Sequence, residues 1–314
     1  MLLQLPKQYA KTAVKDYEYI KSGMGSYSIR EIESLTGIKA HTIRIWEKRH
    51  NLINPERTET NIRLYSDEDV KHILNVSTLY NHGYKISKIA KLSPQQVSQK
   101  IHEISRHDSV QNSVFIDRLT VCMIEYDEKG FHELLTQSIK QHGFENTILR
   151  IVYPFLRKVG VLWLSNHIHP AQEHFISNLI RQKLAVATDS IPYPSVDHPK
   201  QAVLFLPEGE LHELGLLFYN YLLRTKGYRT YYLGQSVPLK DVIKTVSDVQ
   251  PDLIVCSLSF VQSDSQLSDF LSAIDDQFQD LTMAFTGKPL LDRESMVPDS
   301  IKLFASAEEL LQIA

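Results

Sequence analysis

From residue 200 onward the chain changes its hydrophobic period, and this constrains the possible folds more than any other feature. Ala202–Leu206, Thr230–Leu233, Leu253–Ser257, Thr282–Thr286 and Ile301–Phe304 are short apolar or β-branched runs, separated by helical stretches at 212–226, 238–249, 265–279 and 306–313. Five strands alternating with helices indicate a doubly wound, Rossmann-like parallel sheet, with ligand sites at the carboxyl ends of its strands. Just before it, Ile191-Pro-Tyr-Pro-Ser-Val-Asp-His-Pro199 concentrates three prolines in eight residues, which marks a linker.

Upstream of that linker the pattern is helical throughout. In residues 105–190, Phe115, Leu119, Cys122 and Met123 form one stripe, Ile148, Ile151, Val152, Phe155 and Val159 another, and Pro170 opens a third. Pro154 predicts a kink or a break. Residues 26–104 read as shorter helices with strong start signals. Ser28-Ile-Arg-Glu31 and Ser93-Pro-Gln-Gln96 are capping boxes, and Ser66 followed by Asp67, Glu68 and Asp69 is an acidic N-terminus. Asn54–Asn61 is a polar turn between short apolar strands, a hairpin or wing. The expected organisation is an extension at 1–25, a small basic helical unit at 26–104, a helical bundle at 105–190 and the α/β domain at 200–314.

Charge separates these parts. Residues 1–100 carry 16 lysines and arginines against 10 acidic residues, whereas the remainder carries 18 against 27. A basic first third on an acidic body points to a polyanionic partner for the amino-terminal part, nucleic acid above all. The two cysteines, Cys122 and Cys256, lie far apart with no CxxC partner, which fits a reducing cytoplasm and excludes a cysteine-based zinc site. No run approaches the ~18 apolar residues of a membrane span. Pro6-Lys7 breaks the one apolar run at the start, so a signal-peptide core is not expected either. The expectation is a cytoplasmic chain without membrane association.

Tyr27–Ile38 gives a helix and a turn at Gly37, and Lys39–Arg49 gives a second helix, the arrangement of a helix-turn-helix whose second helix enters the major groove. On it Thr42, Arg44 and Lys48 share a polar surface while Ile43 and Trp46 belong to the buried stripe. Pro55-Glu-Arg57 and Arg63-Leu-Tyr-Ser66 follow. The span from Tyr27 to about Val76 resembles the winged helix-turn-helix of the MerR family of transcription regulators, matching it in Arg44-x-Trp-Glu-Lys-Arg49, Pro55-x-Arg57 and Arg63-Leu-Tyr-Ser66. The resemblance implies a DNA surface made of Tyr27, Thr42, Arg44, Lys48, Arg49, Arg57, Arg63 and Tyr65, most of them gripping phosphates of double-stranded operator DNA. One departure is Lys39-Ala40, where an Asp, Ser or Thr cap is wanted.

At the first strand–helix turn of the α/β part stands Glu208-Gly-Glu-Leu-His-Glu-Leu-Gly215. A histidine at the carboxyl end of a parallel strand sits where such folds bind ligands, and Glu210 can fix its tautomer and leave the other ring nitrogen for a metal. Residues 200–314 resemble the cobalamin-binding domain of corrinoid proteins. That resemblance makes His212 the lower axial ligand to cobalt and Glu210 its partner, with Gly215, Gly234, Ser257 and Gly287 around the nucleotide tail. Lys288 stands where a second glycine belongs, and its side chain either crowds the tail pocket or points to solvent.

Trp163, nine intervening residues and Glu173-His174 resemble the helical cap of cobalamin-dependent MerR regulators of the CarH/LitR type, in which these positions accommodate the adenosyl group of adenosylcobalamin. Light-sensing members carry a histidine beside the cap tryptophan; here that neighbour is Leu164, with His167 and His169 displaced. The implied whole is a DNA-binding regulator, by the resemblance a repressor and a dimer or tetramer, sensing adenosylcobalamin and light. Two other readings use the same residues: a MerR-type regulator whose corrin-like domain has lost cobalamin and mediates protein contacts, and a corrinoid methyl-carrier protein. No catalytic triad or P-loop occurs, so no enzyme activity is expected.

Overall fold

The computed structural model describes residues 27–58, 60–104, 111–164, 168, 170–259 and 263–314, the side chains of 34, 98, 102, 104, 111 and 161–164 apart. The expected extension at 1–25, His167 and His169 therefore lie outside the described residues, as does the side chain of Trp163. The chain divides into two compact units, Met1–Ile176 and Ser177–Ala314.

The first unit begins with α1 (Ile29–Thr36) and α2 (Ala40–His50), followed by a two-stranded antiparallel hairpin of β1 (Glu56–Arg57) and β2 (Arg63–Leu64). The wing strands are shorter than expected and fall partly inside the polar Asn54–Asn61 stretch. The turn is closed by Asn61 at φ 63°, whose side chain accepts from Arg57 at 2.7 Å. Helices α3 (Asp67–Asn81), α4 (Ile86–Ile89) and α5 (Pro94–Ile104) complete the winged part. All three N-terminal signals form as expected: reciprocal boxes join Ser28 with Glu31 and Ser66 with Asp69, and Ser93 exchanges bonds of 2.9 and 3.3 Å with Gln96. The missing cap of α2 is supplied from α1, where Glu33 accepts from the Ala40 N–H at 3.0 Å and from Lys39 at 2.9 Å. The Lys39 hydrogen bond, with that of Ala40, holds the Glu33 carboxyl below the usual carboxylate range.

The bundle follows with α6 (Gln111–Ile124), α7 (Glu128–His142), α8 (Phe144–Thr147), a π-helical turn at Ile148–Val152, α9 (Tyr153–Leu164) and α10 (Pro170–Asp189). Pro154 has no N–H for the carbonyl four residues back, and the widened turn directly before it absorbs that mismatch. Within this unit α3 packs on α6, and α1 on α9. Thr78 donates to Asp117 Oδ2 at 3.0 Å while Lys158 donates to Asp117 Oδ1 at 2.8 Å, so one carboxylate joins α3, α6 and α9. Lys71 pairs with Glu125 across the same joint.

The second unit contains β3 (Gln201–Pro207), α11 (Leu214–Thr225), β4 (Arg229–Val237), α12 (Leu239–Val249), β5 (Leu253–Ser257), α13 (Asp264–Gln277), β6 (Thr282–Thr286), α14 (Lys288–Leu291), β7 (Ile301–Leu303) and α15 (Ala307–Ile313). The sheet is parallel throughout, in the order β4-β3-β5-β6-β7. Side chains alternate between two cores: Val203, Phe205, Ile254, Cys256, Met283 and Phe285 face one helical layer, and Ala202, Leu204, Leu206, Val255, Ala284 and Phe304 the other. The strand order reverses between β3 and β5, where a doubly wound sheet opens a crevice. Among the described residues no helix is long and apolar enough to cross a membrane.

Candidate functional site

The helix-wing surface is built on a two-sided α2. Ile43 and Trp46 are buried, Trp46 edge-on to Tyr80 with ring centroids 5.0 Å apart. Arg44, Lys48 and Arg49 are exposed, as is Arg57 on the wing, and Thr42 is half-buried. Glu47 ties helix to wing: it accepts from Arg63 Nε at 2.8 Å and from the Tyr65 hydroxyl. Two expected DNA contacts are placed differently. Tyr65 is buried, with its hydroxyl on Glu47; Tyr27 is buried, donating to Asp67 at 2.8 Å and exchanging backbone bonds with Tyr65. Each phenol has an interior carboxylate partner, so both act as struts beneath the surface. Burial, then the neighbouring carboxylates, raises both phenol pKa values. Arg63 is mostly covered, and its Nε is committed to Glu47.

In the α/β unit the β3–α11 loop carries the expected histidine. Glu210 is buried and accepts at Oε1 from the His212 backbone N–H at 2.9 Å and from His212 Nδ1 at 2.7 Å; its Oε2 accepts from the Ser259 N–H at 2.7 Å. Burial alone would raise the Glu210 pKa, but these bonds outweigh it and hold the carboxyl below its ordinary value. The loop is stitched to the end of β4, where the Gly209 N–H donates to Ser236 Oγ at 3.0 Å and Gln235 to the Leu211 carbonyl at 2.6 Å. The His212 side chain is 74% exposed. Because a carboxylate can only accept, Nδ1 carries the proton toward Glu210, and the Nε2 lone pair faces outward.

Next to this pair, at the reversal of strand order, lies an open cavity of about 330 Å³ lined by Glu210, Val237, Leu239, Leu258, Leu267 and Phe270 among others. Of the residues expected around the ligand, Glu210 lines it directly. At the end of β5 the wall is Leu258, one residue beyond Ser257. Gly234 (φ 83°) is buried at a register irregularity between β3 and β4. Gly287 has a packing reason of its own: at φ 124°, an added Cβ would stand 1.7 Å from the Leu258 carbonyl oxygen. Gly215 has only Tyr219 near its missing Cβ, at 3.9 Å. Lys288 is exposed at the start of α14 and does not line the cavity. In the other unit, Glu173 and His174 stand in the first turn of α10, paired at 2.8 Å, with His174 exposed.

Residues 27–96 match the family model described as MerR HTH family regulatory protein, and residues 115–188 that described as B12 binding domain. The chain is 30% identical over 251 residues to the HTH-type transcriptional repressor CarA of Myxococcus xanthus, covering 79% of this chain and 81% of that one. The chain belongs to the MerR-family helix-turn-helix regulators that carry a B12-binding domain. This regulator is also 28% identical over 254 residues to the repressor CarH of the same organism, covering 79% of its own length and 84% of the relative's. Its fold is that of the monomethylamine corrinoid protein of Methanosarcina barkeri, with a TM-score of 0.52 at 17% identity, over 64% of this chain and 97% of that one.

The regulator's own residues fit a corrin. His212 presents an imidazole nitrogen fixed by a charged partner, as a metal-ligating histidine requires. The adjoining cavity is open and of mixed lining, with Glu208, Glu210 and Gln266 beside Val237, Leu258 and Phe270, and Lys288 stays outside it. The sequence reading missed Glu33, Glu47 and Asp117, whose partners lie on other elements and carry no short-range signature.

Proposed function

We propose that this chain is a one-component, cytoplasmic transcriptional repressor that binds operator DNA through residues 26–104 and senses adenosylcobalamin through residues 105–190 and 200–314. The observation that carries the reading is the Glu210–His212 pair at the switch point of the sheet, in a chain that also presents the exposed Arg44, Lys48, Arg49 and Arg57. Glu210 orients the imidazole and keeps the proton on Nδ1, so that His212 Nε2 would be the atom to hold the cobalt of a bound cobalamin. Cobalamin supplies a cobalt centre whose upper ligand can be exchanged or lost. By the resemblance to cobalamin-dependent MerR regulators, Trp163, Glu173 and His174 would serve the adenosyl group. Leu164, beside Trp163 where light-sensing members carry a histidine, supports ligand sensing more directly than photoreception. The ligand biases a dimer or tetramer by binding one assembly state better, and assembly raises the effective concentration of DNA-binding units.

A gel shift in the dark with and without adenosylcobalamin, repeated after green illumination, tests this. Retardation that depends on the cofactor supports the sensor. Retardation indifferent to cofactor and light would favour the regulator whose corrin-like domain serves protein contacts, and retention of cobalamin without any DNA binding would favour a corrinoid carrier.

A further inference from the structure

Ile45 stands out on the cationic face of α2. It is 43% exposed, although Ile43 and Trp46 on the same helix are buried. Its helical neighbours at three and four residues' distance are His41, Thr42, Lys48 and Arg49, none of them apolar. Ile45 is therefore not the fringe of the core; it is an isolated branched hydrocarbon surrounded by polar and cationic groups. Lysine and arginine on such a surface serve phosphates. Single exposed apolar residues are ordinary on a protein surface; Ile45 is distinguished by its place among the exposed cations of the helix that a helix-turn-helix puts in the major groove.

In the major groove the apolar group on offer is the 5-methyl of thymine, the one hydrocarbon on the floor of an otherwise polar groove. We infer that Ile45 is a specificity-determining residue that packs on a thymine methyl of the operator, while Arg44, Lys48, Arg49 and Arg57 hold the backbone. This deepens the DNA-binding reading and rests on it. Charge complementarity around the residue favours duplex DNA as the occupant over a second copy of the chain.

The test uses the full-length chain, with adenosylcobalamin in the dark. Duplexes are enriched from a random library by the protein, and each thymine of the resulting site is then replaced by uracil, which removes one methyl and leaves every hydrogen-bonding group. At one thymine per half-site, uracil should weaken wild-type binding roughly fourfold, the worth of one buried methyl. Ile45→Ala, at an exposed helical position, should melt with the wild type and bind the thymine and uracil sites equally. Equal wild-type affinity for every uracil-substituted site would overturn the inference, and so would undiminished uracil sensitivity in Ile45→Ala. Lowered self-association in Ile45→Ala with DNA affinity unchanged would assign the residue to a second copy instead. A library yielding no enriched duplex would overturn the DNA-binding reading and this inference together.

Discussion

Glu210 holds His212 twice through one oxygen, accepting from its backbone N–H at 2.9 Å and from its Nδ1 at 2.7 Å. The carboxylate thus sets both the loop path and the ring orientation, while Ser259 on the neighbouring strand end fixes the carboxylate itself. Removing such a partner of a metal-ligating histidine typically costs 10–100-fold in affinity, on the order measured for other metal sites. Glu210→Gln should weaken cobalamin retention by about that factor without abolishing the fold, as read by equilibrium dialysis. Unchanged affinity would mean that His212 is not the group the corrin meets.

The same site gives a pH dependence with a defined sign. The folded-state pKa of Glu210 is depressed, so its stabilising effect is complete above the ordinary carboxylate range and is lost as pH falls through the folded value. Acid titration of the wild type should show a loss of stability below about pH 4, where carboxylates protonate, that is smaller in Glu210→Gln. Identical acid profiles would show that the hydrogen bonds to Glu210 carry no net stabilisation.

Asp117 is the joint between the winged part and the bundle. Asp117→Ala strands Lys158 beneath α3, while Thr78 keeps the Leu74 carbonyl as an acceptor, and should lower stability by about 1–3 kcal/mol, the cost of leaving a partly buried charge unpaired. Replacing both members, as in Asp117→Ala with Lys158→Met, should recover part of the loss. Thermal unfolding of Asp117→Ala, Lys158→Met and the double variant checks this; additive losses would contradict the pairing.

Glu47 and Arg57 separate scaffold from contact. Glu47→Ala leaves the buried Tyr65 hydroxyl and Arg63 without their shared acceptor, so both stability and DNA affinity should fall. Arg57→Ala removes an exposed cation and its exposed hydrogen bond to Asn61, so it should cost little stability while lowering the slope of log K against log salt by about one. An unchanged slope would place Arg57 off the backbone.

Much of this was legible in the sequence because it depends on neighbours along the chain. The five short apolar runs that become strands, the capping boxes at Ser28 and Ser93, and the Glu210-x-His212 spacing are all local patterns, and all appear in the structure. What was not legible depends on distant partners. Tyr27 and Tyr65 read as surface aromatics until Asp67 and Glu47 capture their hydroxyls, and nothing along the chain announces that the Leu258 carbonyl occupies the side-chain space of Gly287. Lys288 posed a question of direction that a sequence cannot answer. Substituting Gly287 by Ala should therefore destabilise the α/β unit by about 3 kcal/mol or more through strain and overlap. Lys288→Ala should leave both stability and cobalamin retention as they are. Urea unfolding and dialysis distinguish the two; a gain in retention by Lys288→Ala would show that the lysine does obstruct the pocket.

His212 is the residue proposed to hold a corrin in this regulator. The most direct measurement incubates wild type and His212→Ala with adenosylcobalamin in the dark, desalts both, and records their visible spectra. The account predicts one retained corrin per wild-type chain, with a spectrum showing imidazole in place of the cofactor's own base, and loss of that signature in His212→Ala. Wild-type protein that emerges colourless, or His212→Ala with an unaltered spectrum, would contradict it.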